Sequence, residues 1–471
     1  MIKFGTGGWR AVIGDEFIKS NIQLLAKAMC VKMKREGVAE REMVIGYDRR
    51  FLAKEAMCWA GQVFAKEGIV TKLINYSVPT PVAMFYVQKN KLPYGMMVTA
   101  SHNPAIYNGI KIFTEGGRDA DEIQTGELEE IIASLCLEDV AEMEYEDAIK
   151  AGLLEEIYPL NEYLDSIIAC VDMQAIRNAR LKIALDPLYG VSELSLKTIL
   201  LTARCQLHTI HDNHDTLFGG QLPAPSEETV RSLQNFVVEK HCDIGLATDG
   251  DADRLGVIDD IGGFLHPNDI LVLLYYYLIK YKGWHGPVVR SVATTHRLDA
   301  LAEHFGEECY EVPVGFKHIS AKMQETDAIL GGESSGGLTV RGHILGKDGV
   351  YAASLLVEMV AITGSRLSEI MAKIEAEFGT CYMEERDYHF RKEAKKEIYH
   401  VLMEERKIPD FGIPVRKISH EDGCKVYFEN GGWIIARFSG TEPLLRIFCE
   451  MSEQNDAIIM CRRFEELLHL E

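Results

Sequence analysis

Apolar residues along this chain fall into short unbroken runs separated by segments whose apolar positions recur three and four apart, and the order of these pieces repeats three times. Each repeat reads as strand, amphipathic helix, strand, helix, and a third strand that stops at polar turn-formers. In the first, MVIGYD precedes a helix over residues 54–67, then come TKLINY and YGMMVTASHNP. In the second, LKIALDP leads through SELSLKTIL to QLHTIHD and IGLATDGDADR. In the third, GPVVRSV leads through a helix at residues 296–304 to CYEVPVG and AILGGESSGG. This pattern predicts α/β units with parallel strands, and ligands of such sheets gather beyond the carboxyl ends of strands. The carboxyl-terminal part has a different rhythm. KVYFENGGWIIARF predicts a hairpin about Asn-Gly-Gly, LLRIFCEM a further strand and the end a helix, together an α+β domain. The charged run at residues 384–407 reads as a solvated helix, and ILVLLYYYLI, too short to span a bilayer, as a buried one.

At 471 residues the chain is too long for one core and is expected to form about three or four domains. The boundaries are drawn at 1–150, 151–259, 260–372 and 373–471. Composition, 47% hydrophobic and 26% charged, is that of a soluble globular protein. A net charge of −21 argues against nucleic acid or an anionic membrane as partner, so an anionic ligand must meet a locally basic site. Eleven cysteines without a CxxC pair predict neither a disulfide framework nor a zinc site and fit a reducing cytoplasm. The opening MIKFGTGGWR lacks the apolar core of a signal peptide.

The loops that end the repeats carry the candidate chemistry. DGDADR, residues 249–254, sets Asp249, Asp251 and Asp253 at alternate positions. Like charges about 4 Å apart repel by about 4 kcal/mol at an effective dielectric of about 20, so a cation is expected among them. Few hard oxygen ligands suit Mg²⁺, whereas a calcium loop needs a glutamate where this chain has Asp260. RFSGTEPLLR, residues 437–446, joins two arginines with hydroxyls and a glycine amide, the groups a phosphate monoester requires. GGESSGG, residues 331–337, offers a carboxylate and hydroxyls for a polyol. A solvated acidic turn, an exposed hairpin and a plain glycine turn are the bland readings of these three. Arg10, Lys111, Lys317, His343 and Lys347 are further candidates only in such company.

TASHNP, DGDADR, GGESSGG and RFSGTEP, in this order and spacing, resemble the four signature loops of the alpha-D-phosphohexomutase superfamily. The resemblance covers essentially the whole chain, including the opening FGTGGWR. It implies a heart-shaped, four-domain α/β enzyme: three similar α/β/α domains with mixed sheets and a C-terminal α+β domain around a central cleft. It implies that Ser101 is phosphorylated and passes its phosphoryl group to a hexose monophosphate, making a 1,6-bisphosphate that turns over in the cleft before Ser101 recovers the other phosphate. Mg²⁺ would be held by Ser101, Asp249, Asp251 and Asp253, with glucose 1,6-bisphosphate as activator. By the same resemblance Arg254 and His102 lie near the transferring group, Thr6 in the opening motif contacts substrate, and Glu333 and Ser335 hold sugar hydroxyls. Arg437, Ser439, Gly440, Thr441 and Arg446 clasp the distal phosphate. Lys111, Arg10 and His343 are the rival proton carriers, and Lys317 and Lys347 are substrate contacts.

Within the superfamily, VPVGFK and GHILGKDG resemble phosphoglucomutase stretches, which favours glucose. Gly337 stands where the GEQSGH and GEMSGH loops of phosphoglucosamine and phosphomannomutase/phosphoglucomutase enzymes carry histidine. Phosphomannomutase, phosphoglucosamine mutase and phosphopentomutase activities remain alternatives, as do a phosphosugar-binding protein without turnover and a phosphatase with an aspartate nucleophile. The expected partner is a small phosphosugar, for a monomer or homodimer.

Overall fold

Runs such as Tyr94–Val98 and Ile244–Thr248 are buried along their whole length, as strands must be when helices cover both faces of a sheet. The structure, a computed structural model, describes residues 2–5, 8–390, 392–438 and 444–470. Three of its sheets share one topology: the first strand lies between the second and third, all parallel, and a fourth returns antiparallel beside the third. These strands are Met43–Tyr47, Thr71–Ile74, Tyr94–Val98 and Tyr107–Thr114 in the first sheet. They are Lys182–Asp186, Gln206–Thr209, Ile244–Thr248 and Leu255–Ile258 in the second. In the third they are Val288–Ser291, Cys309–Val312, Leu330–Gly332 and Leu338–Val340. The antiparallel fourth strand makes each sheet mixed and turns the polar loop after the third strand into a reversal of the chain.

The first sheet is extended by Gly8–Val12 and Phe4–Gly5 on one side and by Leu154–Ile157 on the other, past the boundary expected at residue 150. Leu367–Phe378 packs on Pro267–Lys280 and Arg297–Phe305 of the third unit, past residue 372. The apolar stretch ILVLLYYYLI lies in the helix Pro267–Lys280 and is buried from Ile270 to Ile279, and no single described helix is long and apolar enough to cross a membrane. One apolar cluster runs from Val82 and Met84 of the first unit through Leu185 and Leu196 to Leu271 and Leu356 of the third. Shared packing of this kind holds the three loop ends in fixed relation.

The C-terminal unit is a five-stranded sheet in the order Tyr382–His389, Leu444–Met451, Trp433–Phe438, Cys424–Phe428, Val415–Ser419, with the helix Gln454–Leu468 against it. This corrects the reading of residues 384–407 as one solvated helix. Residues 382–389 are an edge strand, and the helix begins only at Lys392–Tyr399. Charge hid the alternation of that strand: Arg386 and Tyr388, two apart on one face, both bond Glu465 of the terminal helix.

This unit docks on the third through Val292, Ala293, Tyr427, Trp433, Ile435 and Phe448. Inside that contact the Lys425 ammonium donates to Val292 O at 2.6 Å and Glu311 Oε2 at 2.7 Å. Burial, with the nearby Arg290 guanidinium, pushes Lys425 down to about 7 even though Glu311 opposes them. Since its folded value lies below the ordinary 10.5, the unfolded chain binds the proton more readily and stability rises with pH across that window. Urea unfolding is therefore expected to show the wild-type protein gaining on Lys425→Met between pH about 7 and about 10. Parallel profiles for the two proteins would refute the assignment.

Candidate active site

The chain leaves the strand Tyr94–Val98, crosses residues 99–106 and returns as Tyr107–Thr114, and Ser101 stands in that crossing, fully buried, at φ +52°. Its hydroxyl donates to Asp249 Oδ2 at 2.9 Å, with His102 Nδ1 at 3.4 Å. Burial and the guanidinium groups of Arg254 and Arg10 hold the His102 ring well below its ordinary value, so the imidazole is neutral. The loops of the first two units touch: a Cβ on Gly250 would lie 2.9 Å from Ser101 O. Only glycine allows the metal-type loop to pass this close.

Asp249, Asp251 and Asp253 each bring a carboxylate oxygen within 4.8 Å of the others, all of them buried. Asp249 Oδ1 closes its own loop by accepting from the N–H groups of Asp253 and Arg254 at 3.0 Å. Lys111, from the strand that follows the serine loop, donates to Oδ2 of both Asp251 and Asp253 at 2.7 Å. Thr80 Oγ1 adds a bond to Asp251 at 2.6 Å, and Lys347 lies 3.0 Å from Asp253. Oδ1 of Asp251 and of Asp253 is left without a partner among the described residues. Burial and the two neighbouring carboxylates push Asp249 well up. Burial acts the same way on Asp253, but Lys111, Lys347 and Arg254 more than offset it and hold that group well down. Unpartnered, buried, hard oxygens beside a serine hydroxyl are a donor set that fits Mg²⁺. Asp260 stands apart, its carboxylate spent on Ser368 and Arg366.

The third loop joins this cluster through its backbone. Gly336 O accepts from Leu255 N at 3.1 Å, and Arg254 and Gly337 form a bridge. Glu333 Oε1 accepts from Gly315 N at 3.0 Å, and Ser335 Oγ is 3.4 Å from Glu333 Oε2. A side chain at Gly337 would run into the Lys347 stem, so the glycine that departs from the histidine of related loops is what lets Lys347 reach Asp253. Arg10 Nη1 donates to Asn103 Oδ1 at 2.7 Å. Arg254 Nε is buried and has no hydrogen-bond partner among the described residues.

Other expected residues are placed differently. His343 lies outside the cluster: Nε2 is 2.9 Å from Asp348 Oδ2, and Phe85, Tyr163 and Tyr351 surround the ring. Lys317 is paired with Glu122 of the first unit. Arg437 and Arg446 sit directly opposite one another on neighbouring strands, where like charges repel unless an anion joins them. Asp422 lies 3.3 Å from the first, and Asp387 3.5 Å from the second. Thr6, Ser439, Gly440 and Thr441 lie outside the described residues.

Sequence reasoning passed over Asp48 and Arg50, Thr80, Asp119 and Asp422. Asp48 and Arg50 could have been found, because GYDRR sets an acid and two arginines at the carboxyl end of a parallel strand. Asp119, near enough to feel the charges of Lys347, Lys111 and Asp253, comes from a two-residue strand with no pattern to read.

Removing the Lys111 charge should strand two buried carboxylates. Lys111→Met is expected to cost the metal-free protein about 3–5 kcal/mol, and millimolar Mg²⁺ should raise its melting temperature more than that of wild type. Equal melting temperatures without metal, or no extra gain with it, would remove Lys111 from this role.

Comparison with known proteins gives the same architecture. Family models described as phosphoglucomutase/phosphomannomutase match in four pieces: alpha/beta/alpha domain I over residues 1–137, domain II over 161–262, domain III over 266–378, and the C-terminal domain over 390–460. A phosphoglucomutase/phosphomannomutase of Thermococcus kodakarensis is 28% identical over 468 residues, 96% of this chain and 95% of that one. A phosphoglucosamine mutase of Methanococcus maripaludis is 29% identical over 384 residues, 81% of each. A solved structure from Thermus thermophilus superposes with a TM-score of 0.86 at 28% identity, covering 99% of both chains. With all four domains matched in order around a buried serine and three aspartates, the chain belongs to the phosphoglucomutase/phosphomannomutase family of the alpha-D-phosphohexomutase superfamily.

Proposed function

We propose that this phosphohexomutase interconverts glucose 1-phosphate and glucose 6-phosphate through phosphorylated Ser101 and a glucose 1,6-bisphosphate intermediate. The observation that carries the reading is the Ser101 hydroxyl, buried and 2.9 Å from Asp249 in a cluster of three aspartates. In the forward half-reaction the sugar hydroxyl oxygen bonds to phosphorus as the bond from phosphorus to Ser101 Oγ breaks. Lys111 gives a proton to the departing serine oxygen and takes the one released by the sugar hydroxyl. Ser101, Asp249, Asp251 and Asp253 would hold Mg²⁺, which when bound supplies charge to the phosphoryl oxygens. His102 is assigned to shape the wall around the phosphoryl group, and Arg10, bonded to Asn103, and Arg254, whose Nε has no partner among the described residues, to charge it. After the intermediate turns end for end, Ser101 Oγ bonds to the phosphorus of the other phosphate as that phosphorus parts from its own sugar oxygen, which leaves with a proton from Lys111 while Lys111 takes the serine proton.

Glu333 and Ser335 are assigned to the sugar hydroxyls and Lys347 and Lys317 to substrate anions. Lys317 must leave Glu122 to serve. Arg437 and Arg446 are assigned to the distal phosphate, whose anchoring turns binding energy into orientation. His343 is assigned no proton transfer, since its contacts serve Asp348 and the aromatic packing. Phosphoglucosamine is the second substrate reading, favoured by the name of the Methanococcus maripaludis relative.

A coupled assay over glucose 1-phosphate, mannose 1-phosphate, glucosamine 6-phosphate and ribose 5-phosphate is expected to turn over the first fastest. Incubation with glucose 1,6-bisphosphate should add one phosphoryl group to the intact mass, and Ser101→Ala should abolish both that gain and more than about a thousandfold of turnover. Faster turnover of another sugar would replace the substrate but keep the carrier. Undiminished turnover by Ser101→Ala would discard the carrier, and tight binding without turnover in wild type would leave only a binding protein.

A further inference from the structure

Ser101 is a non-glycine residue in the left-handed region, φ +52°, a conformation an L-residue keeps only when its surroundings impose it. Both peptide groups that flank it are held, and both bonds lead back to one carboxylate. On one side the Ser101 N–H donates to Thr99 Oγ1 at 2.8 Å, and that hydroxyl donates to Asp48 Oδ2 at 2.6 Å. On the other, Ser101 O accepts from Arg50 Nη2 at 2.7 Å. Arg50 Nε lies 3.5 Å from the same Asp48 oxygen, and the Arg50 main-chain N–H donates to Asp48 Oδ1 at 2.9 Å.

The two terminal nitrogens of the guanidinium are spent on the same loop and on the first residue of the strand after it. Nη2 also donates to Asn103 O at 2.6 Å, and Nη1 to Pro104 O and Tyr107 O at 2.9 Å each. Three carbonyls of the loop and the first of the strand that follows thus converge on a single side chain that is entirely out of solvent. Phe218, from the second unit, lies over the cation with the guanidinium carbon 4.9 Å from the ring centroid. It is also the neighbour of Gly250, next to Asp249.

We propose that Arg50, oriented by Asp48 and Phe218, is a positioning residue that with Thr99 holds Ser101 in its left-handed conformation and so aims Oγ at the aspartate cluster. The inference rests on the phosphoserine reading of Ser101 and deepens it. Arg50 touches no reacting atom. It acts through the main chain of Ser101, and a planar fork is required because a lysine ammonium offers its three donors from one point and cannot span four carbonyls. Phosphorylation would leave this clamp intact, since it holds only main-chain atoms of Ser101. The carrier oxygen then returns to the same place after each transfer.

The test uses full-length wild type, Arg50→Lys, Thr99→Val and Thr99→Ser. Each is incubated with glucose 1,6-bisphosphate for intact mass and assayed with glucose 1-phosphate. Misplacement of a reacting oxygen by about 1 Å is expected to lower kcat about a hundredfold in Arg50→Lys and Thr99→Val while KM stays within about threefold. The rate of Ser101 phosphorylation should fall in step. Thr99→Ser keeps the hydroxyl and should restore most of what Thr99→Val loses, a recovery that mere loss of packing would not give. Should Arg50→Lys fail to fold, the Thr99 pair decides alone. Arg50→Lys with wild-type kcat and phosphorylation, or Thr99→Ser as poor as Thr99→Val, overturns the clamp. A wild-type protein that never gains phosphate on Ser101 instead rejects the phosphoserine reading itself.

Discussion

The confinement of three carboxylates and one amine in a few ångströms of dry interior is the constraint around which this molecule is built. Asp249, Asp251 and Asp253 are each at most 1% exposed and Lys111 is 3% exposed. Charges taken out of water at this depth cost several kcal/mol each unless partners surround them. Lys111 and Lys347 answer part of that cost, and two Oδ1 atoms remain unanswered among the described residues. A divalent cation is the simplest complement to what is left over. The serine loop closes over the same cluster, so the group that would carry phosphate and the groups that would hold metal are one electrostatic unit.

Topology explains why the unit assembles from distant parts of the chain. Each of the three α/β units reverses direction after its third strand, and each reversal carries one loop of the site: residues 99–106, 249–254 and 333–337. The loops meet because the units share an apolar core and because glycines permit main-chain contact, Gly250 at Ser101 and Gly336 at Leu255. The fourth unit is joined differently. It rests on a patch around Trp433 and Tyr427 with Lys425 and Glu311 inside it, and Asp422 ties Val314 of the third unit to Arg437 of the fourth. Cleft geometry on that side depends on a smaller contact containing titratable groups, the kind of interface that permits domain motion.

The repeats, the hairpin about residues 429–432, the buried helix over Pro267–Lys280 and the acidic triad were all legible because each is local: a run, a turn or an alternation within a few residues. Reading failed where local pattern and environment disagree. Residues 384–407 look like one solvated helix because charge dominates them, yet residues 382–389 pair as an edge strand whose charged face is met by Glu465. His343 looked available for proton transfer, and its ring is enclosed by aromatics and bonded to Asp348. Arg50 drew no reading from the sequence, and its guanidinium donates to four carbonyls beneath the serine.

The sequence by itself therefore determined the kind of chemistry: which loops are polar, which residue types they present, and the family whose signatures they match in order. Periodicity and turn residues act over a few positions, and the amino-acid string records them directly. Only the tertiary structure decided which cations stand beside which carboxylates. It decided that Lys111 and Lys347 face the triad, that Lys317 is held by Glu122, and that the carbonyl of a left-handed Ser101 meets an arginine fifty-one positions earlier. Those facts depend on distances between residues far apart in the chain, and electrostatic interaction depends on distance and burial rather than on order along the chain.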